Sequence, residues 1–191
     1  MSGAARPRVT LKLATSLDGK IALANGASQW ITGPESRAEV HRMRAAHRAI
    51  LTGIGTILAD NPRFTARPEG GCDRQPDVIV MDSADRTPSD AAVFAEPERS
   101  VTLVPHRDIA RAIAGCETVM IEAGAQIAAA AIAADIVDRI EWFRAPVILG
   151  GDGLPVVAGL GLETLDAAPI FTRTGIRERG ADLQESYERI R

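Results

Sequence analysis

Ala49-Ile50-Leu51-Thr52-Gly53-Ile54-Gly55-Thr56 sets the fold class. A short buried-strand run leads straight into a glycine-punctuated turn. The helical stretch after it reaches Leu58 and stops ahead of Pro62, because a residue preceding proline is pushed out of helical geometry. The unit is a strand followed by a helix, and the alternation continues on both sides. Upstream, Thr32-Gly33-Pro34-Glu35 reads as a capping box, with Thr32 as N-cap, Glu35 at the third helical position and Pro34 tolerated in the first turn. A helix is therefore expected from Pro34 to Arg48. Before it, Val9, Leu11 and Leu13 alternate with Thr10, Lys12 and Ala14, the period of two of a strand packed on one face, with Lys12 on the other. Asp18-Gly19 and Asn25-Gly26 are turn chemistry.

Downstream, apolar runs at Asp77 to Met81, Ser100 to Val104 and Thr118 to Ile121 predict buried strands, while Asp108 to Ala114 and Ala125 to Ala134 predict helices. Strands alternating with helices argue for a three-layer α/β domain with a largely parallel sheet. In the last third, Ile140 to Phe143, Ala168 to Thr172 and Ala181 to Ile190 lack helical periodicity and predict antiparallel strands closing the sheet. Pro68, Gly70, Gly71 and Pro76 mark residues 68 to 76 as a flexible loop. Length fits one domain over residues 1 to 191, with 1 to 7 as a flexible tail.

Composition narrows the function classes. Apolar residues make up 46% and charged residues 25%, as in globular proteins. The longest apolar run, Ile127 to Ala134, is far short of the roughly 20 residues of a spanning helix. The segment Met1 to Arg8 has no apolar stretch of a secretory signal, so a cytoplasmic location is expected. Cys72 and Cys116 lie far apart, and His41, His47 and His106 follow no metal-binding spacing, so no metal site is expected. The net charge of -3 conceals a basic first quarter: residues 1 to 48 carry eight Lys or Arg against three Asp or Glu. A local basic segment on an acidic chain suits a small anionic ligand rather than nucleic acid or a membrane.

Several residues bear chemistry, each with a plainer reading beside it. Gly53-x-Gly55 opens a helix and offers backbone amides to an anion, or is simply a tight turn; the dinucleotide fingerprint fails, because Leu58 stands where its third glycine belongs. Ile121-Glu122-Ala123-Gly124-Ala125 is a second strand-to-helix junction. Its Glu122 is either a functional carboxylate or a rim residue capping the next helix, since an unpaired carboxylate is costly to bury. Arg37, His41, Arg44 and Arg48 fall on one helical stripe that is either a phosphate clamp or a solvated face. Trp30 is a stacking platform or a core residue, and Lys12 is a ligand group or an edge residue.

Thr10-Leu-Lys-Leu-Ala-Thr-Ser-Leu-Asp-Gly-Lys20, Ser28-Gln-Trp-Ile-Thr-Gly33, Val40-His-Arg-Met-Arg-Ala45, Ala49 to Thr56 and Asp60-Asn-Pro-Arg-Phe-Thr-Ala-Arg67 occur in an order that resembles one family. It is the reductase domain of the bifunctional riboflavin-biosynthesis deaminase-reductases, and the resemblance runs from about Arg8 to Gly161. It implies a dihydrofolate-reductase-like fold and NADPH-dependent reduction of 5-amino-6-(5-phosphoribosylamino)uracil to the ribitylamino form. By position, Ser28, Arg44, Phe64, Arg67 and Glu122 match places that meet the substrate. Ala14, Trp30, Thr56, Asp60, Ser83, Gly124, Ala125, Gln126 and Ile127 match places that line NADPH. Lys12 matches a lysine near the reacting sugar, and it joins Glu122 as a catalytic candidate. The resemblance also implies a homodimer.

Departures matter too. The family often has Glu-Gly-Gly-Pro where this chain has Glu122-Ala123-Gly124-Ala125, and an Asp-Glu pair where Asp138-Arg139 stands. The H-x-E and P-C-x-x-C signatures of a zinc deaminase are missing from these residues, so deamination is expected from a separate deaminase polypeptide or a removed domain. Two other readings stay open: a reductase of the same fold acting on dihydrofolate, another pterin or a small carbonyl compound, and a nucleotide-binding module without catalysis. If Glu122 serves substrate rather than fold, Glu122→Gln should cut turnover and spare thermal stability.

Overall fold

The computed structural model describes residues 6–191. Of the tail expected at residues 1 to 7, the first five lie outside the described residues. In chain order the elements are β1 (Arg8–Thr15), β2 (Lys20–Ala22), α1 (Pro34–Ala46), β3 (Ala49–Gly53), α2 (Ile54–Asp60), β4 (Asp77–Met81) and β5 (Val101–Val104). They continue with α3 (Ile109–Ala112), β6 (Thr118–Ile121), α4 (Ala125–Ala133), β7 (Arg139–Arg144), β8 (Leu154–Pro155), β9 (Phe171–Arg179) and β10 (Asp182–Arg189). The architecture is a largely parallel sheet with antiparallel C-terminal strands, flanked by helices. The chain divides into two compact units. One comprises the residues up to Val9 with Ala38–Ala123, the other Thr10–Arg37 with Gly124–Arg191.

In the first unit the strands lie in the order β5, β4, β3, β6, all parallel. Parallel strands covered on both faces read as unbroken apolar runs, which is why β4 and β6 coincide with the runs picked out in the sequence. Every residue of β3 is buried, and Ile50, Leu51, Val78, Val80, Val119, Met120 and Ile121 are fully enclosed. Each such aliphatic contributes about 1.5–3 kcal/mol relative to exposure. The Arg8 amide donates to Glu117 O at 3.0 Å, so β1 begins beside the residue that precedes β6. Residues 68 to 76 carry no regular structure. Their base is closed by the Gln75 amide, whose Oε1 accepts from the Ala66 amide at 2.7 Å while Nε2 donates to Ala66 O at 2.9 Å.

In the second unit β7 lies between β1 and β10, and β9 follows β10; a small pair of β2 and β8 stands apart from these four strands. The Ile140 to Phe143 segment, expected to be antiparallel, runs parallel to β1 as part of β7. Periodicity carries no direction, and the preceding helix α4 returns the chain so that a parallel strand follows. The antiparallel closing strands are β10 against β7 and β9 against β10, and the small β2–β8 pair is antiparallel as well. Strand β9 reaches Arg179, well past the expected Thr172, because its mostly exposed polar residues conceal it.

The expected capping box is also corrected. Helix α1 starts at Pro34, and the Arg37 amide donates to Gly33 O, which makes Gly33 the N-cap rather than Thr32. Gly33 brings no side chain, and a distant carboxylate substitutes for one. Asp182 Oδ2, at the start of β10, accepts from the Gly33 amide and from Ser36 Oγ, both at 2.6 Å. The helix ends at Ala46, so Arg48 leaves the basic stripe and lies 4.0 Å from Glu117 on the surface.

Asp18 occupies the expected turn after β1. Its carboxylate accepts from Ser16 Oγ at 2.6 Å and from the amides of Leu149 and Gly150 at 3.1 and 2.8 Å. The Ser16 bond first, then the backbone amides, lowers its pKa to about 2. A carboxylate held below its unfolded value of about 4 stabilises the fold fully above that pH, and the gain disappears as pH falls through the folded value. The difference in Tm between the wild type and Asp18→Asn is therefore expected to shrink between pH 4 and pH 2. A difference that stays constant over that window would show that the Asp18 charge is not engaged.

Candidate active site

The first unit gathers the principal cluster. Helix α1 projects His41 and Arg44 at a spacing of three, so both emerge on one face. Glu122 directly follows β6, where its amide donates to Leu51 O at 3.0 Å, and its side chain is 7% exposed. Arg44 closes on it with a two-pronged grip: Nε donates to Oε1 at 2.7 Å and Nη2 to Oε2 at 2.9 Å. The remaining terminal nitrogen, Nη1, donates to Thr65 O at 3.1 Å. Burial works against the Arg44 charge, but the Glu122 carboxylate outweighs it and holds the guanidinium above its ordinary pKa. The plainer reading of Glu122 as a rim residue is set aside, since its buried charge has a dedicated counter-charge.

Phe64 sits under that pair, its ring centroid 5.5 Å from the Arg44 guanidinium carbon. Its backbone is left-handed, with φ at 52°, a conformation that costs a side chain other than glycine on the order of 1 kcal/mol or more. Arg99 holds it there. This arginine, 8% exposed just before β5, donates Nη1 to Phe64 O at 3.1 Å and Nη2 to Val93 O at 2.7 Å and to Arg63 O. One guanidinium thus ties three carbonyls and fixes the segment that carries Phe64 and Thr65. His41 Nδ1 lies 2.9 Å from the same Thr65 O that Arg44 uses. Its other nitrogen, Nε2, is 3.5 Å from Nη2 of Arg67, which is otherwise exposed.

Four residues matched to the substrate therefore fall together: Arg44, Glu122 and Phe64 in direct contact, and Arg67 through His41. Thr56 on α2, Asp60 at its end and Ser83 after β4 contribute none of these contacts. The loop that carries Ser83 is closed by buried Asp82, whose Oδ2 accepts from the amides of Arg86 and Thr87 and from Thr87 Oγ1. Sequence reasoning missed Thr65 and Arg99. A lone arginine next to the Val101 run was the available signal for Arg99.

The second unit carries the other candidates. Lys12 and Ala14 are half-buried on one face of β1, in register with Glu141 and Phe143 of β7. Glu141, 5% exposed, accepts from Arg139 Nε at 2.5 Å, Gln184 Nε2 at 2.7 Å and Ser186 Oγ at 2.8 Å. Trp30 is 71% exposed and so is no core residue; the Arg37 guanidinium lies 4.8 Å from its ring centroid. Ser28 lies two residues before it, half-buried. Gly124 is the N-cap of α4 and supplies no side-chain cap, which leaves the first-turn amides of Ala125, Gln126 and Ile127 without one. A Cβ added at Gly124 would meet nothing within 4 Å, so no neighbouring group packs against the N-cap residue there. An uncapped N-terminus of a nine-residue helix fits an anionic group such as a dinucleotide pyrophosphate. Among the described residues no group of His, Cys, Asp and Glu is arranged to hold a metal ion, and no helix is long and apolar enough to cross a membrane.

Parallel strands closed by antiparallel C-terminal strands form a dihydrofolate-reductase-like fold, with a buried arginine-carboxylate pair at the end of one strand. Comparison with known proteins gives the family: the chain belongs to the RibD C-terminal domain family, whose model matches residues 7–184. The riboflavin biosynthesis protein RibD of Mycobacterium tuberculosis is 36% identical over 181 residues, covering 93% of this chain and 53% of that protein. The structure of Acinetobacter baumannii RibD superposes with a TM-score of 0.89 at 25% identity, over 97% of this chain and 59% of that one. A Thermotoga maritima diaminohydroxyphosphoribosylaminopyrimidine deaminase/5-amino-6-(5-phosphoribosylamino)uracil reductase gives a TM-score of 0.83 at 27% identity, over 97% and 57% of the two chains. The chain thus spans about half the length of the curated relatives it matches.

Proposed function

We propose that the chain reduces 5-amino-6-(5-phosphoribosylamino)uracil to its ribitylamino form with NADPH. The observation that carries this reading is the bidentate Arg44–Glu122 pair against Phe64, a buried carboxylate fixed in orientation beside an aromatic ring. That arrangement suits a planar heterocycle bearing hydrogen-bond donors. NADPH, when bound, supplies the hydride that reduces C1' of the ring-opened sugar. The amides of Ala125 to Ile127 behind Gly124 would hold its pyrophosphate, and the resemblance matches Ala14, Trp30, Thr56, Asp60 and Ser83 to the cofactor as well. The same resemblance matches Ser28, Phe64 and Glu122 to the substrate. Arg44 acts by locking Glu122, since most of its donors are committed. Arg67, with its guanidinium open to solvent, grips the phosphate, and Lys12 delivers the proton that balances the hydride.

The reading extends to a cytoplasmic homodimer whose substrate is deaminated by a catalytic centre outside these 191 residues. The direct test is oxidation of NADPH by the purified protein with the phosphoribosylamino pyrimidine, in parallel with dihydrofolate and with NADH. Turnover of the pyrimidine alone, faster with NADPH, is expected; turnover of dihydrofolate instead, or of neither, overturns the proposal. Arg67→Ala is expected to raise KM for the pyrimidine by about 10- to 100-fold, the loss of one charge-assisted phosphate contact, with KM for NADPH within about twofold. Equal effects on both would remove Arg67 from the phosphate.

A further inference from the structure

We propose that His41 is a further residue of the anion subsite, its Nε2 taking up a proton and donating to the substrate phosphate when that phosphate reaches Arg67. The proposal rests on the phosphosugar reading above. Its starting point is which ring nitrogen carries hydrogen. Thr65 O can only accept, so Nδ1, 2.9 Å away, is the donor in either charge state. Titration therefore takes place at Nε2, the nitrogen that faces Arg67 Nη2 at 3.5 Å. In the neutral ring Nε2 offers its lone pair to the guanidinium; in the charged ring two cations would face each other across that gap.

The charged surroundings agree with this geometry. Burial first, then Arg44 and Arg67, push the His41 pKa below its ordinary value, against the opposing influence of Thr65 O and the Glu122 carboxylate. These are the groups that act on the ring: the Arg44–Glu122 pair, Arg67 at Nε2 and the Thr65 carbonyl at Nδ1. A phosphate dianion beside Arg67 reverses the balance. It offsets the guanidinium charge, favours the imidazolium and gives the new Nε2 hydrogen an acceptor, so the His41 pKa rises on binding. Between the free and bound values, binding draws a proton from solution and tightens as pH falls.

The test is calorimetric titration of the protein with the phosphorylated ribitylamino pyrimidine, and with the same compound lacking its phosphate, in buffers of different ionisation enthalpy at pH 7 and pH 8. The expected result is a net uptake on the order of half a proton per site for the phosphorylated ligand, with affinity rising roughly threefold per pH unit on acidification. The dephosphorylated compound takes up none. His41→Asn keeps an amide at the Nδ1 position to donate to Thr65 O and removes only Nε2, so it is expected to bind the phosphorylated ligand more weakly and without proton uptake. Binding of that ligand with no proton uptake in the wild type, or uptake that survives in His41→Asn, overturns the His41 proposal and leaves the phosphosugar reading standing. Equal affinity for both ligands, or no binding of either, overturns the two together.

Discussion

Replacing Arg44 by Met is expected to cost about 3–5 kcal/mol of stability and to lower Tm by roughly 10 °C, because it strips a buried carboxylate of its bidentate counter-charge. Glu122 is 7% exposed and Arg44 16%, so solvent screens this pair little. Breaking one half is much worse than replacing both. Glu122→Gln keeps the volume and the Oε1-type acceptor facing Arg44 Nε, but turns an amide NH2 toward the donor Nη2, for an expected loss of about 1–3 kcal/mol. The expectation that this variant spares stability, natural from sequence, does not survive the ion pair. The double variant should lose less than the sum of the singles, and thermal melts of all four proteins measure the coupling. Turnover should fall by about 100-fold or more in each single variant, since the carboxylate is either neutralised or released from its orientation. Additive losses of stability, or an Arg44→Met protein within about 1 kcal/mol of the wild type, would show that the pair does not act as a unit.

Arg99→Met carries the second large effect. Its guanidinium satisfies the carbonyls of Arg63, Phe64 and Val93, and methionine satisfies none. The bonds to Phe64 O and Val93 O are buried, and each buried acceptor left without a partner costs about 1–3 kcal/mol, so a total of about 2–6 kcal/mol is expected, again roughly 10 °C in Tm. Function should suffer beyond stability. Phe64 holds a left-handed backbone only while the segment around it is tied down, and Thr65 O orients both Arg44 and His41. Steady-state kinetics of the folded fraction at low temperature should show KM for the pyrimidine rising several-fold more than KM for NADPH. Arg99→Lys, with three donors on a single nitrogen, should recover part of the stability. If both Michaelis constants stay at wild-type values while Tm drops, Arg99 serves the fold only.

Those two predictions involve residues that the sequence treated unequally. Arg44 and Glu122 were each singled out through resemblance, yet they lie 78 positions apart, and nothing in a linear pattern announces that they grip one another. The parallel strands β3, β4 and β6 were legible because burial on both faces writes continuous apolar runs. Strand β7 was found but its direction was not, because direction belongs to the partners a strand meets. The N-terminus of α1 was misjudged by one residue for a related reason: a local Thr32–Glu35 pattern competed with a carboxylate 149 residues away, and the distant one prevailed. His41 showed only as one member of a charged stripe. Its two neighbours, Thr65 and Arg67, come from a loop whose path no periodicity describes.

The Asp182 carboxylate that caps α1 also imposes an order of events. As the chain emerges from the ribosome, the Gly33 amide and the Ser36 hydroxyl wait through nearly 150 further residues before their acceptor exists. Until the final hairpin is synthesised, the beginning of α1 is open to water. Removing Asp182 by truncation within β10 would therefore unfasten the start of α1, an element made long before it.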